Sequence, residues 1–314
     1  MALYLITGGA GFIGSNIANE LLARGEKVRV IDNLSTGKLE NIESLNGDLD
    51  FIEGDICDFE TVKKAVDGVD FVLHQAALPS VPRSVKDPIA SNRVNVEGTL
   101  NLLVAARDSN CKKLVMASST SVYGDTPTLP KHEDMPPQPM SPYATSKLAA
   151  EKYAMNFHKV YGFPTVALRY FNVFGPRQDP NSHYAAVLPK FIKAMLSNEP
   201  PVIYGDGEQS RDFTYIENVV NANLLACESD AAGCFINTAC GDRYTLNHLV
   251  KVLEEVMGLT ANPRYEEPRV GDVKHSQASI ELARKHIGYD PAVSFKEGVE
   301  KTVAWYRDKF NGHA

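Results

Sequence analysis

Residues 3–14 of the chain, LYLITGGAGFIG, decide its fold. The apolar residues at the start predict a short buried strand, and the spacing of apolar residues over Gly11–Arg24 predicts a helix after it. Between the two, Gly8 allows a tight turn, Gly11 lets the main chain approach a bound group, and Gly14 lets the helix pack against the strand. Because glycine triplets also occur in ordinary tight turns, the interpretation depends on what surrounds them.

An acidic residue completes this motif. Asp32 closes the second apolar run, eighteen residues after Gly14. In such a strand–turn–helix unit, free N–H groups and the positive end of the helix dipole face a pyrophosphate. An acid at this distance accepts hydrogen bonds from the adenosine ribose, and its charge repels the 2′-phosphate of NADP. We therefore expect NAD as the cofactor.

Apolar runs alternate with helical patterns along the first half of the chain. Short runs that are apolar throughout are typical of parallel strands covered on both faces, and right-handed crossovers then give a doubly wound (Rossmann) α/β fold. The predicted strands are Tyr4–Thr7, Val28–Asp32, Leu49–Ile52, Phe71–His74, Leu114–Ser118 and Thr165–Arg169.

The second half has more turn signals and shorter elements. It predicts helices over Pro189–Leu196 and Thr245–Met257 and strands over Val202–Tyr204 and Phe235–Thr238. We expect an NAD-binding domain over 1–172, which the chain rejoins over about 212–240. A smaller C-terminal α/β lobe, 173–211 with 241–314, would bind the substrate.

Composition excludes several functions. Lysine and arginine total 32 against 39 acidic residues, a net charge of −7, which gives no electrostatic reason to bind nucleic acid or anionic lipid. Five cysteines without a CxxC pair indicate reduced thiols, and eight scattered histidines predict no metal site. With no signal-peptide pattern and no apolar run of membrane-spanning length, we expect a cytoplasmic protein.

A tyrosine and a lysine supply the candidate chemistry. Tyr143 and Lys147 are four residues apart, so a helix places them on one face. A lysine and a positive nicotinamide ring near the phenol favour its ionised form and lower its pKa. Such a pair alone is usually a surface pair. Beside the glycine turn and the hydroxyl run 118–120, however, the catalytic interpretation is favoured.

At this point a family resemblance is evident. The chain resembles, nearly end to end, the nucleotide-sugar epimerase/dehydratase branch of the extended short-chain dehydrogenase/reductase superfamily. The stretches that carry the resemblance are TGGAGFIG at 7–14, DNLSTG at 32–37, ASSTSVYG at 117–124, SPYATSK at 141–147, RYFNVFGPRQ at 169–178 and GDGEQSRDFTYI at 205–216. It implies a catalytic trio of Ser119, Tyr143 and Lys147, with Lys147 also on the nicotinamide ribose.

The resemblance also implies two sets of binding residues. For NAD they are Gly8, Gly11, Phe12, Ile13, Gly14, Asp32, Asn33, Ser35, Thr36, Gly37, Asp55, Ile56, Gln75, Ala76, Ala77, Asn95, Tyr143, Lys147 and Tyr170. For a UDP-sugar they are Ser80, Ser119, Thr120, Ser121, Asn172, Ala186, Val187, Tyr204, Arg211, Arg269, Asp272 and Ser276. By position alone, Asp55-Ile56 and Gln75-Ala76-Ala77 fit caps and packing equally well, and either arginine also fits a surface ion pair.

Thr120 and Ser121, which directly follow Ser119, indicate the type of reaction. Dehydratases of this branch carry an Asp-Glu pair where this chain has Thr120-Ser121, and epimerases that act at two carbons carry a cysteine with a lysine or histidine. What the resemblance then implies is 4-epimerisation, in which Tyr143 removes the hydroxyl proton while NAD takes the hydride from carbon 4. The ketose turns over and receives the hydride on its other face.

The same comparison indicates the sugar. Segments 78–107 and 175–191 resemble epimerases of UDP-N-acetylglucosamine (UDP-GlcNAc) and UDP-N-acetylgalactosamine (UDP-GalNAc). Galactose-restricted epimerases have tyrosine at the position of Ser276 and asparagine at that of Ala186, so this chain has room for an acetamido group. Room does not exclude smaller sugars, and we also expect activity on UDP-glucose and UDP-galactose.

Alternatives remain open at this stage. The chain could be a UDP-glucose or UDP-glucuronate 4-epimerase, a dehydrogenase with net redox turnover, or a catalytically silent NAD(H)-binding regulatory protein. The resemblance also implies a homodimer, in which the helices Asn92–Arg107 and Tyr143–Tyr161 of two chains form a four-helix bundle.

Overall fold

The computed structural model describes residues 1–181, 186–268 and 274–311. The strands are β1 Leu3–Thr7, β2 Lys27–Asp32, β3 Leu49–Glu53, β4 Phe71–His74, β5 Lys113–Ser119, β6 Thr165–Tyr170, β7 Val173–Phe174, β8 Val202–Tyr204, β9 Ser210–Arg211, β10 Thr214–Tyr215, β11 Cys234–Thr238, β12 Tyr244–Thr245 and β13 Arg264–Glu266. The helices are α1 Phe12–Ala23, α2 Glu40–Glu43, α3 Phe59–Val66, α4 Val81–Lys86, α5 Pro88–Asn92, α6 Gly98–Asp108, α7 Pro142–Tyr161, α8 Val187–Leu196, α9 Ile216–Glu228, α10 Leu246–Met257, α11 Glu281–Ile287 and α12 Phe295–Asn311.

A seven-stranded parallel sheet forms the centre of the molecule. Its strand order is β11-β6-β5-β4-β1-β2-β3, and each neighbouring pair is parallel. The order reverses between β1 and β4, which creates a crevice at the carboxyl ends of these two strands. The predicted doubly wound fold is confirmed, and all six strands predicted in the first half are present.

Apolar layers cover both faces of this sheet. Leu5 and Ile6 are adjacent in β1 and both fully buried, but they belong to different core clusters. The reason is that successive side chains of a strand point to opposite faces. Helices α1 and α9 pack together, as do α3 and α6, so strands that are apolar throughout are buried from both sides.

Short strand pairs link the later parts of the chain and give the smaller C-terminal α/β lobe. Strand β8 pairs with β13, and β9 pairs with β12, while α8, α10 and α12 pack against one another. The predicted strands Val202–Tyr204 and Phe235–Thr238 are both present, and the latter lies beside β6 in the main sheet. The predicted domain boundaries remain a prediction.

One predicted helix differs from the observed structure. The pattern over Asn92–Arg107 predicts a continuous helix, but a π-helical turn, Arg93–Glu97, separates α5 from α6. Within this turn the Asn95 side chain accepts a hydrogen bond from the N–H of Leu78 (2.8 Å) and donates one to Ser146 Oγ (3.0 Å). Single π turns are frequent at functional sites, and here the turn directs an amide toward α7.

Helix α9 was not predicted from the sequence. Nine of its residues are buried, among them Asn218 and Asn223. Asn218 donates to the carbonyl of Val293 (2.8 Å), and Asn223 donates to the hydroxyl of Tyr170 (2.8 Å). Buried asparagines interrupt the apolar periodicity on which the prediction of a helix depends.

A buried ion pair joins α7 to β6. Arg169 contacts both carboxylate oxygens of Glu151, at 2.6 and 2.9 Å, and their side chains are 1% and 0% exposed. Ser118 of β5 donates to the same carboxylate at 2.8 Å, and the guanidinium lies over the rings of Tyr123 and Phe235. Removing one partner of such a pair typically costs about 3–5 kcal/mol, so the position of α7 against β5 and β6 is strongly specified.

Three further predictions concern cysteines, metals and membranes. The five cysteines are unpaired. Within the described ranges, no three potential metal ligands come together and no helix has the length and apolar character needed to cross a membrane. The cytoplasmic location stays a prediction.

Candidate active site

Three of the predicted site residues, Asp32, Ser119 and Tyr170, lie at the carboxyl ends of sheet strands, as do Thr7 and His74, which were not predicted. Thr7, Asp32, His74, Ser119 and Tyr170 are the last residues of β1, β2, β4, β5 and β6. Neighbouring strands are in register at these ends, with Thr7 opposite His74 and Ser119 opposite Tyr170. Residues far apart in the sequence therefore line one edge of the sheet, where ligands bind in open α/β folds.

The glycine turn has the geometry of a phosphate cradle. Gly8 has φ +68°, and a Cβ there would lie 2.8 Å from the main chain of Ala76. A Cβ on Gly14 would lie 2.3 Å from the carbonyl oxygen of Gly8, whereas one on Gly11 would meet only that oxygen, at 3.1 Å, among the described atoms. Helix α1 begins at Phe12 without a side-chain cap, so its first N–H groups are available to an anion.

Asp32 fits the ribose side of this cradle. Its buried carboxylate accepts hydrogen bonds from the N–H groups of Ala10 (3.0 Å) and Leu34 (2.9 Å). Burial raises its pKa, although these two N–H groups act in the opposite direction. A carboxylate has about four acceptor positions, so it can also receive ribose hydroxyls. Gly37 leaves space beside it, since a Cβ there would lie 2.8 Å from the carboxylate.

The loop after β2 contacts the loop after β3. Asn33 donates to a carboxylate oxygen of Asp55 at 3.1 Å, and the N–H of Cys57 donates to the other at 2.8 Å. Burial acts to raise the pKa of Asp55, but these donors outweigh it and the pKa is lowered. The predicted residues Ser35 and Thr36 are exposed in this loop, and Ile56 is buried beneath it.

The side chains of Gln75, Tyr170 and Asn223 form a ring of three hydrogen bonds beside the crevice. The hydroxyl of Tyr170 donates to Gln75 Oε1 (3.0 Å), Gln75 Nε2 donates to Asn223 Oδ1 (3.1 Å), and Asn223 Nδ2 donates to the Tyr170 hydroxyl (2.8 Å). Ala76 and Ala77 follow Gln75 and are half-buried. Asn223 was missed by sequence reasoning because it lies 148 residues from Gln75.

A buried histidine connects the glycine turn to the π turn. His74 Nδ1 lies 2.7 Å from Thr7 Oγ1, and Nε2 lies 2.8 Å from Thr99 Oγ1. Because the Thr99 hydroxyl donates to the carbonyl of Asn95, its oxygen accepts from Nε2–H, and Thr7 donates to Nδ1. His74 is therefore neutral, and burial together with the charge of Lys147 lowers its pKa to about 3.

The predicted catalytic trio lies at the junction of β5 and α7. Tyr143 lies close enough to Ser119 for that hydroxyl to act on the tyrosine pKa, and Lys147 Nζ donates to the carbonyl of Ala117 at 2.8 Å. Burial lowers the pKa of Lys147 to about 8. Burial raises the pKa of Tyr143 and outweighs the lowering effect of Ser119. The expected lowering of the tyrosine pKa by Lys147 is therefore not seen in this structure.

The hydrogen bonds that Ser119 accepts indicate to which atom its hydroxyl proton can be donated. Its oxygen accepts from the hydroxyl of Ser121 (2.9 Å) and from the N–H of Ser121 (3.2 Å). The hydroxyl proton of Ser119 is therefore left to donate to the Tyr143 oxygen, which is the direction that stabilises a phenolate. Thr120 and Ser121 are half-buried in the 3₁₀ turn that follows β5.

A cationic cluster lies at β9. Arg211 donates to the carbonyls of Ser210 (3.0 Å) and Lys274 (3.2 Å). Burial, followed by the positive charges of Arg243, Lys274 and Arg211, lowers the pKa of His275. This concentration of positive charge is suited to a diphosphate.

The remaining substrate-side predictions have varied positions. Asn172 adopts φ +28° and donates to the carbonyl of Asp212 at 3.2 Å. Ser276 is 8% exposed, and its N–H donates to the carbonyl of Ser210 at 3.0 Å. Ala186 immediately precedes α8, Val187 is its first residue, and Tyr204 ends β8. Arg269 and Asp272 lie outside the described residues.

Ser80 has a structural use in this chain. Its buried hydroxyl accepts a hydrogen bond from the N–H of Arg83 at 3.1 Å and thereby caps α4. A serine cap of this kind typically contributes about 1 kcal/mol. Its predicted contact with the sugar stays a prediction.

Comparison with known proteins identifies the family. The model of the NAD dependent epimerase/dehydratase family matches residues 4–238, which is well over half of the chain and includes the glycine turn and the catalytic trio. The chain therefore belongs to the NAD-dependent epimerase/dehydratase family, and its cofactor is NAD.

Individual relatives are similar over their whole length. A UDP-glucose 4-epimerase of Mycolicibacterium smegmatis is 38% identical over 97% of this chain and 98% of the relative. The structure of a UDP-N-acetylglucosamine 4-epimerase from Methanobrevibacter ruminantium, in complex with UDP-N-acetylmuramic acid, is 44% identical with a TM-score of 0.94, over 98% of this chain and 99% of that one. A UDP-glucose 4-epimerase of Thermus thermophilus in complex with NAD is 38% identical with a TM-score of 0.87, over 97% and 99%. These relatives confirm the predicted enzyme class, an NAD-dependent isomerase of the UDP-sugar 4-epimerase type.

The neutral His74 predicts a pH dependence of stability. The unfolded chain takes up a proton near the ordinary pKa of 6.5, whereas the folded protein does so only near 3. Stability is therefore lost as the pH falls below 6.5. For this one group the free energy of unfolding should fall by about 2 kcal/mol between pH 7.5 and pH 5. Urea unfolding of His74→Gln should show a decline that is smaller by this amount.

A matched control is His132→Gln, since His132 is exposed. It should keep the wild-type pH dependence. Equal pH dependences for wild type and His74→Gln would contradict the assignment of His74 as a buried neutral group.

Proposed function

We propose that the protein is a UDP-sugar 4-epimerase that interconverts UDP-GlcNAc and UDP-GalNAc and also accepts UDP-glucose and UDP-galactose. The observation that carries the proposal is the convergence of Ser119, Tyr143 and Lys147 at the carboxyl end of β5. This position is next to the cradle formed by the glycine turn and Asp32.

In the proposed reaction, the chain's own residues handle the proton. NAD, when bound, accepts the hydride from carbon 4 of the sugar and returns it. Tyr143 removes the proton of the 4-hydroxyl and later gives it back, so no net proton is consumed. Ser119 acts to lower the pKa of Tyr143, and we expect the positive nicotinamide ring and the cation of Lys147, one helical turn away, to favour the ionised tyrosine together.

The 3₁₀ turn after β5 supports epimerisation over dehydration. Elimination of water needs an acid and a base beside the sugar. Thr120 and Ser121 offer hydroxyls there, and the Ser121 hydroxyl is already bonded to Ser119. A ketose at this position has no carboxylate from this turn to start an elimination.

The cationic cluster at β9 supports a UDP-linked substrate. Arg211 and Lys274 present positive charge on adjacent segments, beside the imidazole of His275, whose pKa they help to lower. A guanidinium can bind phosphate oxygens in pairs. The predicted contacts of Arg269 and Asp272 with the UDP part of the substrate belong to the same proposal. A diphosphate held here would leave the sugar free to turn over after oxidation.

The proposed sugar follows from side-chain size at two positions. Ser276 and Ala186 place small groups where larger ones would restrict the pocket to plain sugars. The Methanobrevibacter structure, titled as a UDP-N-acetylglucosamine 4-epimerase, supports the acetylated substrate. The Mycolicibacterium relative is a UDP-glucose 4-epimerase, which favours UDP-glucose as the second candidate.

Tyr143→Phe tests the reaction. The variant loses the hydroxyl that exchanges the proton, and we expect turnover of UDP-GlcNAc to fall by about 10²–10⁴-fold or more. NAD content and melting temperature should be unchanged. The assay incubates wild type and variant with UDP-GlcNAc, UDP-GalNAc, UDP-glucose and UDP-galactose and separates the products by chromatography. Tyr153→Phe is the control, since Tyr153 lies on the same helix but is 40% exposed. Near-normal turnover by Tyr143→Phe would refute the proposed role.

Ser276→Tyr tests the sugar. The new ring should clash with the acetamido group, which overpacking estimates place at about 1–3 kcal/mol, or roughly 5- to 150-fold in activity on UDP-GlcNAc. Activity on UDP-glucose should be kept. Because Ser276 is nearly buried, Ser279→Tyr, at a half-buried serine outside the proposed pocket, controls for loss of stability. An unchanged ratio of acetylated to plain activity would count against this role of Ser276.

We also propose a homodimer through a four-helix bundle. Helices α6 and α7 pack side by side, and Arg107 of α6 lies over the ring of Tyr161 at the end of α7. Several apolar side chains near this face are exposed, including Ile89 (80%) and Tyr153. Light scattering at micromolar concentration should give twice the chain mass. The Tyr153→Lys variant should have a lower mass in solution, whereas Leu259→Lys, after α10, should keep the dimer mass. A wild-type monomer would contradict the proposal.

A further inference from the structure

We propose that Ser84 positions Tyr143 for the reaction by holding its main-chain N–H. Ser84 lies on α4, and its hydroxyl oxygen accepts a hydrogen bond from the N–H of Tyr143 at 3.0 Å. The inference rests on the proposed function, since it concerns the tyrosine that exchanges the proton.

The start of α7 explains why Tyr143 needs an outside partner. N–H groups in the first turn of a helix have no carbonyl partner within the helix. Ser141, the residue before α7, uses its hydroxyl to accept from the N–H of Ala144 (3.1 Å), and its carbonyl accepts from the N–H of Thr145 (2.9 Å). The helix's own cap therefore leaves the N–H of Tyr143 to Ser84.

The contacts of Ser84 leave its hydroxyl oxygen as an acceptor toward Tyr143. Its side chain is fully buried, and its hydroxyl donates to the carbonyl of Val81 at 2.7 Å. With the proton committed to Val81, the oxygen's free lone pairs are left for the N–H of Tyr143. Helix α4 packs against α7 and is itself fixed by the cap at Ser80.

The carbonyl of Tyr143 is held as well. Ser146 Oγ donates to it at 2.7 Å, and Asn95 of the π turn donates to Ser146 Oγ at 3.0 Å. Both polar groups of the Tyr143 main chain are thus bonded to buried serines. Because Lys147 is fixed separately by the carbonyl of Ala117, loss of the Ser84 bond would move Tyr143 relative to Lys147 rather than move both together.

Ser91 provides a matched control. It is a serine on the next helix, α5, it is 1% exposed, and its hydroxyl donates to the carbonyl of Asp87, the residue before that helix, at 3.1 Å. It therefore shares with Ser84 the burial and the donated bond but not the bond accepted from Tyr143. If Ser84 had only a structural role, replacing either serine with alanine should have the same effect on activity.

The experiment compares Ser84→Ala and Ser91→Ala, each loaded with NAD, in the four-sugar assay. A misplacement on the order of 1 Å can cost about 100-fold, and we expect kcat of Ser84→Ala to fall by about 10- to 100-fold. KM should stay within about twofold, and the kcat–pH profile should move to higher pH as the phenolate becomes harder to form. In the Tyr143→Phe background the same change should have no further effect on the residual rate, since the two residues act as a unit.

The outcomes separate this inference from the proposed function. Wild type without turnover of any of the four sugars overturns both. An active wild type whose Ser84→Ala variant keeps kcat within about twofold, or loses it only as Ser91→Ala does, overturns the role of Ser84 alone. If Ser84→Ala does not fold, Ser84→Cys keeps the size with a weaker acceptor. It should lose part of kcat, and full activity of that variant would overturn the inference.

Discussion

The ion pair between Glu151 and Arg169 links helix α7 to the sheet, and the placement of the candidate catalytic side chains follows from it. Each of the three residues that form this contact, Glu151, Arg169 and Ser118, is close to a candidate site residue along its own strand or helix. Ser118 precedes Ser119 on β5, Arg169 precedes Tyr170 on β6, and Glu151 lies one helical turn after Lys147. Two buried charges are costly to separate, so the spacing between the end of β5 and the active face of α7 is held firmly.

A second set of buried polar groups joins the cofactor cradle to the same helix. Hydrogen bonds run from the turn after β1 through the neutral histidine and the π turn to the carbonyl of the candidate base, and their members are Thr7, His74, Thr99, Asn95, Ser146 and Tyr143. Each hydroxyl and ring nitrogen in this chain has a defined direction. Satisfied buried networks of this kind favour one arrangement, which keeps the NAD site and Tyr143 in fixed relation.

The sequence predicts those parts of the site whose geometry depends only on residues near one another in the chain. The glycine turn, Asp32 and the Tyr143–Lys147 pair fall into this class, because each depends on a local strand, turn or helix. What it does not predict are partners from distant segments. The bond from Gln75 to Asn223 spans 148 residues, and the contact of Ser84 with Tyr143 spans 59. The raised pKa of Tyr143 was also missed, because desolvation depends on the packed environment rather than on the spacing of Tyr143 and Lys147.

The segment around Ser276, on the proposed substrate side, is anchored through main-chain N–H groups. Asp212 accepts hydrogen bonds from the N–H groups of Cys240, Gly241 and Ala278, although burial raises its pKa to about 7. The N–H of Ser276 is bonded to the carbonyl of Ser210. Neither the bond of the Ser276 N–H nor that of the Ala278 N–H uses the Ser276 side chain, so replacing that side chain removes neither bond. Because the ion pair at α7 lies on other elements, changes in the proposed sugar pocket leave the proton-transfer geometry in place.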